Sequence, residues 1–450
     1  MSTRHKLLRG TLVLTAAGLL SRLMGFFFRI FLSHAFGEEN VGLYQLIFPV
    51  YSLCLALGTS GIQTVLSRTV ARKVSLGKTE EARSSLCMAL TLTVSLSVAE
   101  IFFIQKNAAW IAVRFLGDSR CEELLLIISY ALPCASIHSC LCGYSYGMQK
   151  TRLPALSQLI EQTVRIASVS LLFFLFRQNG ISPSVSLATA GIVIGEFASA
   201  LFSFRFFPRR SKKTPIPFLR TVKDTGAELI TLSLPLTANR ACVTLLQSIE
   251  AASIPAKLKL CSHSASEALI LYGVLTGMAL PCILFPSAVT NSVGAVLMPA
   301  VAEQQAAGNS RNMSALIKRA AGSCFMLGLA CCLVFLIFGR FIGVLLFHSE
   351  TAGDFIMTLS WICPFLYTNS ALISTINGLG RTSWTFLINV SGLTLRIASV
   401  FFAIPSFGME GYLWGLLASQ FAVTLLSCAA LKLSLSSPHR AEKTPQSSAG

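Results

Sequence analysis

Apolar runs of about 20 residues recur along the whole of this 450-residue chain, and no other feature restricts its fold as much. Read between charged or turn-rich breaks, they fall near 10–32, 41–66, 84–105, 123–147, 153–176, 184–206, 229–254, 268–298, 318–346, 355–377, 383–405 and 411–433. Lipid offers no partner to free backbone groups, and the alternation of a membrane barrel strand is missing, so these runs are expected to be helices. The predicted fold class is an all-α polytopic membrane protein with about 12 transmembrane helices. Composition agrees. Only 12% of residues are charged, about half the usual share of a soluble domain, which excludes a soluble globular enzyme or a disordered chain. The first run follows Arg4, Lys6 and Arg9 and superficially resembles a signal peptide. It is too long for one and contains Arg22 and Arg29, so a retained helix is expected.

The 14 cysteines form no disulfide framework, because most lie inside apolar runs, where a thiol packs as a small apolar group. Cys140 and Cys142 form a Cys-x-Cys without a second pair at zinc spacing, so no metal site is expected there. The net charge of +17 would suggest nucleic acid in a soluble protein. Here it sits in loops. The N-terminus, the loops after even-numbered spans and the tail carry 24 Lys and Arg, against 7 in the opposite loops. By the positive-inside rule both termini are expected in the cytoplasm, and no nucleic-acid partner is expected. The longest basic stretch, Arg205 to Lys223, reads as an orientation signal and linker, with anionic lipid headgroups as a second reading.

The chain repeats itself. Arg165-Ile-Ala-Ser-Val169 returns as Arg396-Ile-Ala-Ser-Val400, a displacement of 231 that also maps Pro133 onto Pro364 and Gly77 onto Gly308. Gly191-x-x-x-Gly195 matches Gly411-x-x-x-Gly415 at a displacement of 220. Six helices per repeat is an even number, so the halves enter the membrane with the same polarity. Such parallel repeats are expected to place a substrate path between them. The expected division is an N-terminal lobe over 1–215, a C-terminal lobe over 216–434 and a disordered cytoplasmic tail over 435–450.

Apart from the 31 counted with the loops and span ends, five basic residues lie inside spans, and all are arginines: Arg22, Arg29, Arg165, Arg240 and Arg396. Each costs roughly 3 kcal/mol at a helix centre, too much to leave facing lipid. Arg22 and Arg29 are two turns apart and share a helix face, although Arg29 is near enough to the end to snorkel. Glu161 stands one turn before Arg165, a good geometry for an internal ion pair. At the corresponding place before Arg396 the chain has Gly392, so Arg396 is expected to lack a partner and face the cavity. Arg240 has no acid one turn away either. Glu196 is a candidate ion-coupling site together with Glu161, while Glu250 is placed near a span end as an interfacial acid. His138 reads as a packed neutral histidine, with a proton site as the second reading. Prolines 49, 133, 235, 281, 286 and 364 read as tolerated kinks, with Pro133 and Pro364 also candidate bending points. The surplus of intramembrane arginine suits an anionic substrate, since the guanidinium fork matches phosphate and stays charged when partly desolvated. No nucleotide-binding, nucleophile-elbow or zinc-hydrolase motif is present. Neither enzymatic activity nor a cofactor is expected.

Gly18-Leu-Leu-Ser-Arg-Leu-Met-Gly-Phe-Phe-Phe-Arg-Ile30, then Gly42-Leu-Tyr-Gln-Leu-Ile-Phe-Pro-Val-Tyr51 and Gly58-Thr-Ser-Gly-Ile62, resemble the polysaccharide-transporter branch of the multidrug/oligosaccharidyl-lipid/polysaccharide exporter superfamily. The resemblance implies two six-helix lobes and alternating access. It implies movement of an undecaprenyl-diphosphate-linked oligosaccharide or peptidoglycan precursor across a bacterial cytoplasmic membrane. Arg22 and Arg29 would then bind the diphosphate, with coupling to Na+, H+ or membrane potential. The alternative within the superfamily is a cation-coupled multidrug antiporter, which would depend on acids such as Glu161 and Glu196.

Overall fold

The computed structural model describes residues 3–207, 218–261 and 264–436. The expected lobe boundary near residue 215 and the tail beyond residue 436 lie outside the described residues. Every regular element among the described residues is helical. The first half contains α1 (Thr3–Leu46), α2 (Phe48–Leu55), α3 (Gly61–Ser75), α4 (Thr79–Trp110), α5 (Cys121–Ser129), α6 (Ala131–Gly147), α7 (Arg152–Gln178) and α8 (Ser186–Phe204). The second half begins with α9 (Phe218–Leu258), α10 (Ala265–Gly273), α11 (Leu280–Leu284) and α12 (Ser287–Ala306). It continues with α13 (Ser310–Phe347), α14 (Glu350–Ser360), α15 (Cys363–Gly378), α16 (Thr382–Phe402) and α17 (Ile404–Ser436).

Nine stretches among the described residues are long and apolar enough to cross a membrane, or up to eleven when each of two bent pairs is one span. The expected count was twelve. The first two expected spans fall in one helical run, Val13–Ser75, of 63 residues, interrupted by non-helical backbone at Gly37 (φ 78°). The outward faces are apolar: Phe102 (72%), Ile337 (71%) and Phe402 (79%) are largely exposed, as side chains in contact with lipid should be. The chain is a multi-span membrane protein.

The repeat read in the sequence extends to the backbone. The helical stretch Thr79–Leu116 returns as α13, Ser310–Phe347, displaced at both ends by 231. Left-handed positions recur at the same displacement: Gly77 with Gly308, Gly117 with His348, and Gln149 with Gly380. The two bent pairs also correspond, α5 to α6 by 41° and α14 to α15 by 56°. Pro133 and Pro364 stand just after these breaks. A proline there has no N–H to give the carbonyl four residues earlier, so the ladder is interrupted at both places for one reason.

A buried core joins the halves, with Leu46, Ile47 and Leu132 from the first and Leu275, Met278 and Tyr367 from the second. The halves approach closely where α1 crosses α10. A Cβ on Gly42 would lie 2.3 Å from the Leu269 carbonyl oxygen, so that approach requires glycine. Further contacts between the halves lie near this crossing. Lys259 Nζ donates to the Gly117 carbonyl at 2.8 Å, and His34 Nε2 stands 3.0 Å from His348 Nδ1; within the first half, Arg120 pairs with Glu39 at 2.8 Å. Asp118 lies in the turn beside Arg120. Burial alone would raise its carboxyl pKa, but the hydrogen bonds and charge of Arg120 hold it below the usual value.

Candidate functional site

Two charged clusters form around the repeat-related arginines. In the first half, α7 presents Glu161 and Arg165 one turn apart, and Arg165 Nη2 donates to Glu161 Oε1 as the spacing predicts. The packing of α8 on α7 is set by Gly195: a Cβ there would lie 2.9 Å from the Glu161 carbonyl oxygen. That close approach brings Glu196 to the pair. Tyr51 OH donates to Glu196 Oε1 at 3.3 Å, and His138 Nδ1 lies 3.7 Å from Glu196 Oε2. His138 Nε2 is 2.9 Å from Ser157 Oγ, which in turn donates to the Pro154 carbonyl. With Ser157 donating onward, Nε2 is the donor to Ser157, and Nδ1 faces the carboxylate. The Glu196 Oε2 and Arg165 Nε atoms are buried without a hydrogen-bond partner among the described residues. One ligand atom each from His138, Glu161 and Glu196 lies within 4.8 Å of the others, a grouping able to hold a small cation or a shared proton. Cys140 is buried next to Thr93, and Cys142 is buried at the edge of this cluster, next to the same Ser157 that meets His138.

The second half corrects two expectations. Arg396 does not lack a partner, and Glu250 is not interfacial. Arg396 Nε donates to Glu250 Oε1 at 2.7 Å while Nη2 holds Oε2, a bidentate pair, and Tyr412 OH donates to Oε1 at 2.7 Å. The Glu250 side chain is 4% exposed and that of Arg396 26%. No acid stands at Gly392, where Val423 of α17 closes in; a Cβ there would meet its Cγ2 at 2.5 Å. The acid comes instead from α9, 146 residues away in sequence. Searching one turn to either side of Arg396 could not find it. Tyr412 and Tyr51, which complete the two clusters, were also missed. The available signal was the spacing of Arg240, Thr244 and Gln247, a polar stripe on α9 that leads to Glu250.

Arg396 lies at a wall between two cavities. The larger, about 810 Å³, is lined by α9, α12, α15, α16 and α17 and follows α16 from Thr382 to Arg396, about 21 Å of helix. Its lining holds Arg240, Arg396 and seven carboxamides: Asn239, Gln247, Asn291, Asn369, Asn377, Asn389 and Gln420. No carboxylate is among its lining residues. Several of the amides are fixed in place. Asn369 Nδ2 donates to Gln420 Oε1 at 3.0 Å, and its Oδ1 accepts from Thr424 at 2.9 Å. The smaller cavity, about 300 Å³, lies between the halves, with Gln45 and Ser52 facing Glu250, Tyr272 and Tyr412.

The five intramembrane arginines are therefore not gathered in one place. Arg240 and Arg396 share the large cavity, where Arg240 is exposed and has no ion pair among the described residues. Arg22, also exposed, lines a pocket of about 260 Å³ between α1 and α12 that shares Asn291 with the large cavity. Arg29 is half-buried, and its Nη1 donates to the Thr276 carbonyl at 3.2 Å, so it turns into the protein instead of snorkelling outward. Arg165 lies with Glu161 in the first half.

Residues 7–305 match the family described as polysaccharide biosynthesis protein. The chain belongs to that family. Stage V sporulation protein B of Bacillus subtilis (strain 168) is 28% identical over 432 residues, which cover 95% of this chain and 83% of that protein. Lipid II flippase MurJ of the same organism is 23% identical over 430 residues, covering 87% of this chain and 76% of the flippase. Among solved structures, the inward-facing conformation of a multidrug resistance MATE family transporter of the MOP superfamily superposes with a TM-score of 0.74. The two are 16% identical, and the match covers 92% of this chain and 94% of that one. The fold is therefore the one seen in that transporter of the MOP superfamily.

Proposed function

We propose that the protein moves an undecaprenyl-diphosphate-linked oligosaccharide or peptidoglycan precursor across the bacterial cytoplasmic membrane by alternating access between two lobes divided near residue 215. The observation that carries this reading is the large cavity: two arginines, seven carboxamides and no carboxylate. Carboxamides suit the hydroxyls of a sugar, and the guanidinium fork suits a diphosphate. A cationic drug would find no counter-charge there. Arg22, Arg240 and Arg396 bind the diphosphate in this account, while Arg29 and Arg165 hold the helices that frame the path. Both termini and the basic linker face the cytoplasm, so the α15–α16 end of the cavity is the loading side. Glu161 and Glu196, with His138, take up the coupling cation, Na+ or H+.

A second reading, cation-coupled drug antiport, is favoured by that same first-half cluster, with its unpartnered Glu196 oxygen. The two separate in reconstituted vesicles. A fluorescent undecaprenyl-diphosphate sugar should change leaflet with the wild-type protein and lose that movement with Arg240→Gln. Transport of cationic dyes that is indifferent to Arg240→Gln and abolished by Glu196→Gln would instead establish the antiporter.

A further inference from the structure

We propose that Glu250 stands in for the ligand's phosphate: its carboxylate occupies the fork of Arg396 until a diphosphate group displaces it, and the exchange opens the wall between the two cavities. This rests on the diphosphate reading above and adds a gate to it. Arg396, Thr244 and Gln247 line both cavities, whereas Glu250 lines only the smaller one. The Arg396–Glu250 pair is thus part of the partition between a chamber inside the second half and a chamber between the halves. Its geometry is the one a phosphate would use, two parallel N–H donors on two oxygens of one group. Arg396 is 26% exposed and lines the large cavity, so an anion entering from the α15–α16 end meets its guanidinium before the wall. Once displaced, Glu250 retains the Tyr412 hydroxyl on Oε1 and opens onto the small chamber, whose polar lining includes Gln45 and Thr276. A buried carboxylate deprived of its cation is unfavourable, so the wall closes again when the ligand leaves. Glu250 is in this sense a positioning residue. It acts through Arg396 and sets how strongly an anion must bind to open the path.

The test uses the full-length protein in detergent, titrated calorimetrically with sodium pyrophosphate and, separately, with undecaprenyl diphosphate. Glu250→Gln removes the competing charge and should tighten pyrophosphate binding at least tenfold. A purely structural role for the pair predicts no tightening. The double variant Glu250→Arg/Arg396→Glu keeps a bridge, so its melting temperature should recover, while its anion affinity should not. Glu250→Asp, which keeps the charge but shortens its reach into the fork, should likewise tighten pyrophosphate binding, and no tightening overturns the exchange; this arm decides the matter if Glu250→Gln does not fold. Tightening with both probes supports exchange by the lipid headgroup, and tightening with pyrophosphate alone supports exchange by a soluble diphosphate. Wild-type binding with no tightening in Glu250→Gln overturns the exchange and leaves the diphosphate reading intact. No binding of either probe by wild type or by Glu250→Gln overturns the diphosphate reading itself.

Discussion

Arg165 and Arg396 begin the same pentapeptide in two halves of one repeat, yet they obtain their counter-charges in different ways. Arg165 takes Glu161 from its own helix, one turn back, and both side chains are about 15% exposed. Arg396 takes Glu250 from α9, and the acid is almost wholly enclosed. An intrahelical pair survives a movement of its helix, because both partners travel together. A pair between α9 and α16 has to break whenever those helices separate. The first cluster is therefore suited to storing a cation within a rigid half, with Glu196 and His138 added to it. The second is suited to gating, because its partners lie on different helices at the wall between two cavities. The same arginine stands in both repeats, but Glu161 precedes one copy and Gly392 the other, and Glu250 on α9 supplies the second carboxylate.

Truncating each arginine should sharpen that contrast. Arg396→Ala should give the largest loss of stability, roughly 3–5 kcal/mol, because it strands Glu250 in the more enclosed site. Arg165→Ala should fall at the lower end of that range, since Glu161 retains some access to solvent. Thermal melting of both purified variants checks the order, and equal or reversed losses would break the comparison. Next in size is a functional effect without a structural one. Arg240→Ala should lower transport at least tenfold while leaving the melting temperature unchanged, because Arg240 is exposed and forms no ion pair to lose. Glu196→Gln should remove the dependence of transport on the coupling cation, read as flipping rate against Na+ concentration and against pH; a retained dependence would move coupling out of the first half. The smallest effects belong to the tyrosines. Tyr412→Phe removes a 2.7 Å bond to a carboxylate and should cost about 2 kcal/mol. Tyr51→Phe removes one of 3.3 Å and should cost about 1 kcal/mol or less.

Membrane class, helical architecture and the repeat were legible in the sequence because each is a local or periodic property. Apolar length identifies a span, and a displacement of 231 identifies a duplication without knowledge of any contact. The Glu161–Arg165 pair was legible for the same reason, since spacing along one helix fixes proximity. The Arg396–Glu250 pair was not. Its partners are 146 residues apart, and the crossing of α9 and α16 that unites them is a tertiary fact with no periodic signature. Arg29 was misleading in a related way. Its place near a span end allowed an outward reach, but the Thr276 carbonyl on the facing segment offered a closer partner. The span count differed at Gly37-Glu38-Glu39-Asn40, where the charged break divides two spans in the sequence but the helical run Val13–Ser75 continues through a kink at Gly37. Carboxamides lining the large cavity come from several helices, and no single stretch of sequence displays them as a set.

Recognition of an anionic, lipid-linked sugar is proposed to rest on Arg22, Arg240 and Arg396. The most direct test is leaflet exchange of a fluorescent undecaprenyl-diphosphate sugar in proteoliposomes, compared between wild type and Arg240→Gln at matched insertion. Exchange by wild type at least tenfold faster than by Arg240→Gln, with the same melting temperature for both, is the expected result. Equal exchange by the two proteins, or none by wild type alongside transport of a cationic dye, would contradict the claim.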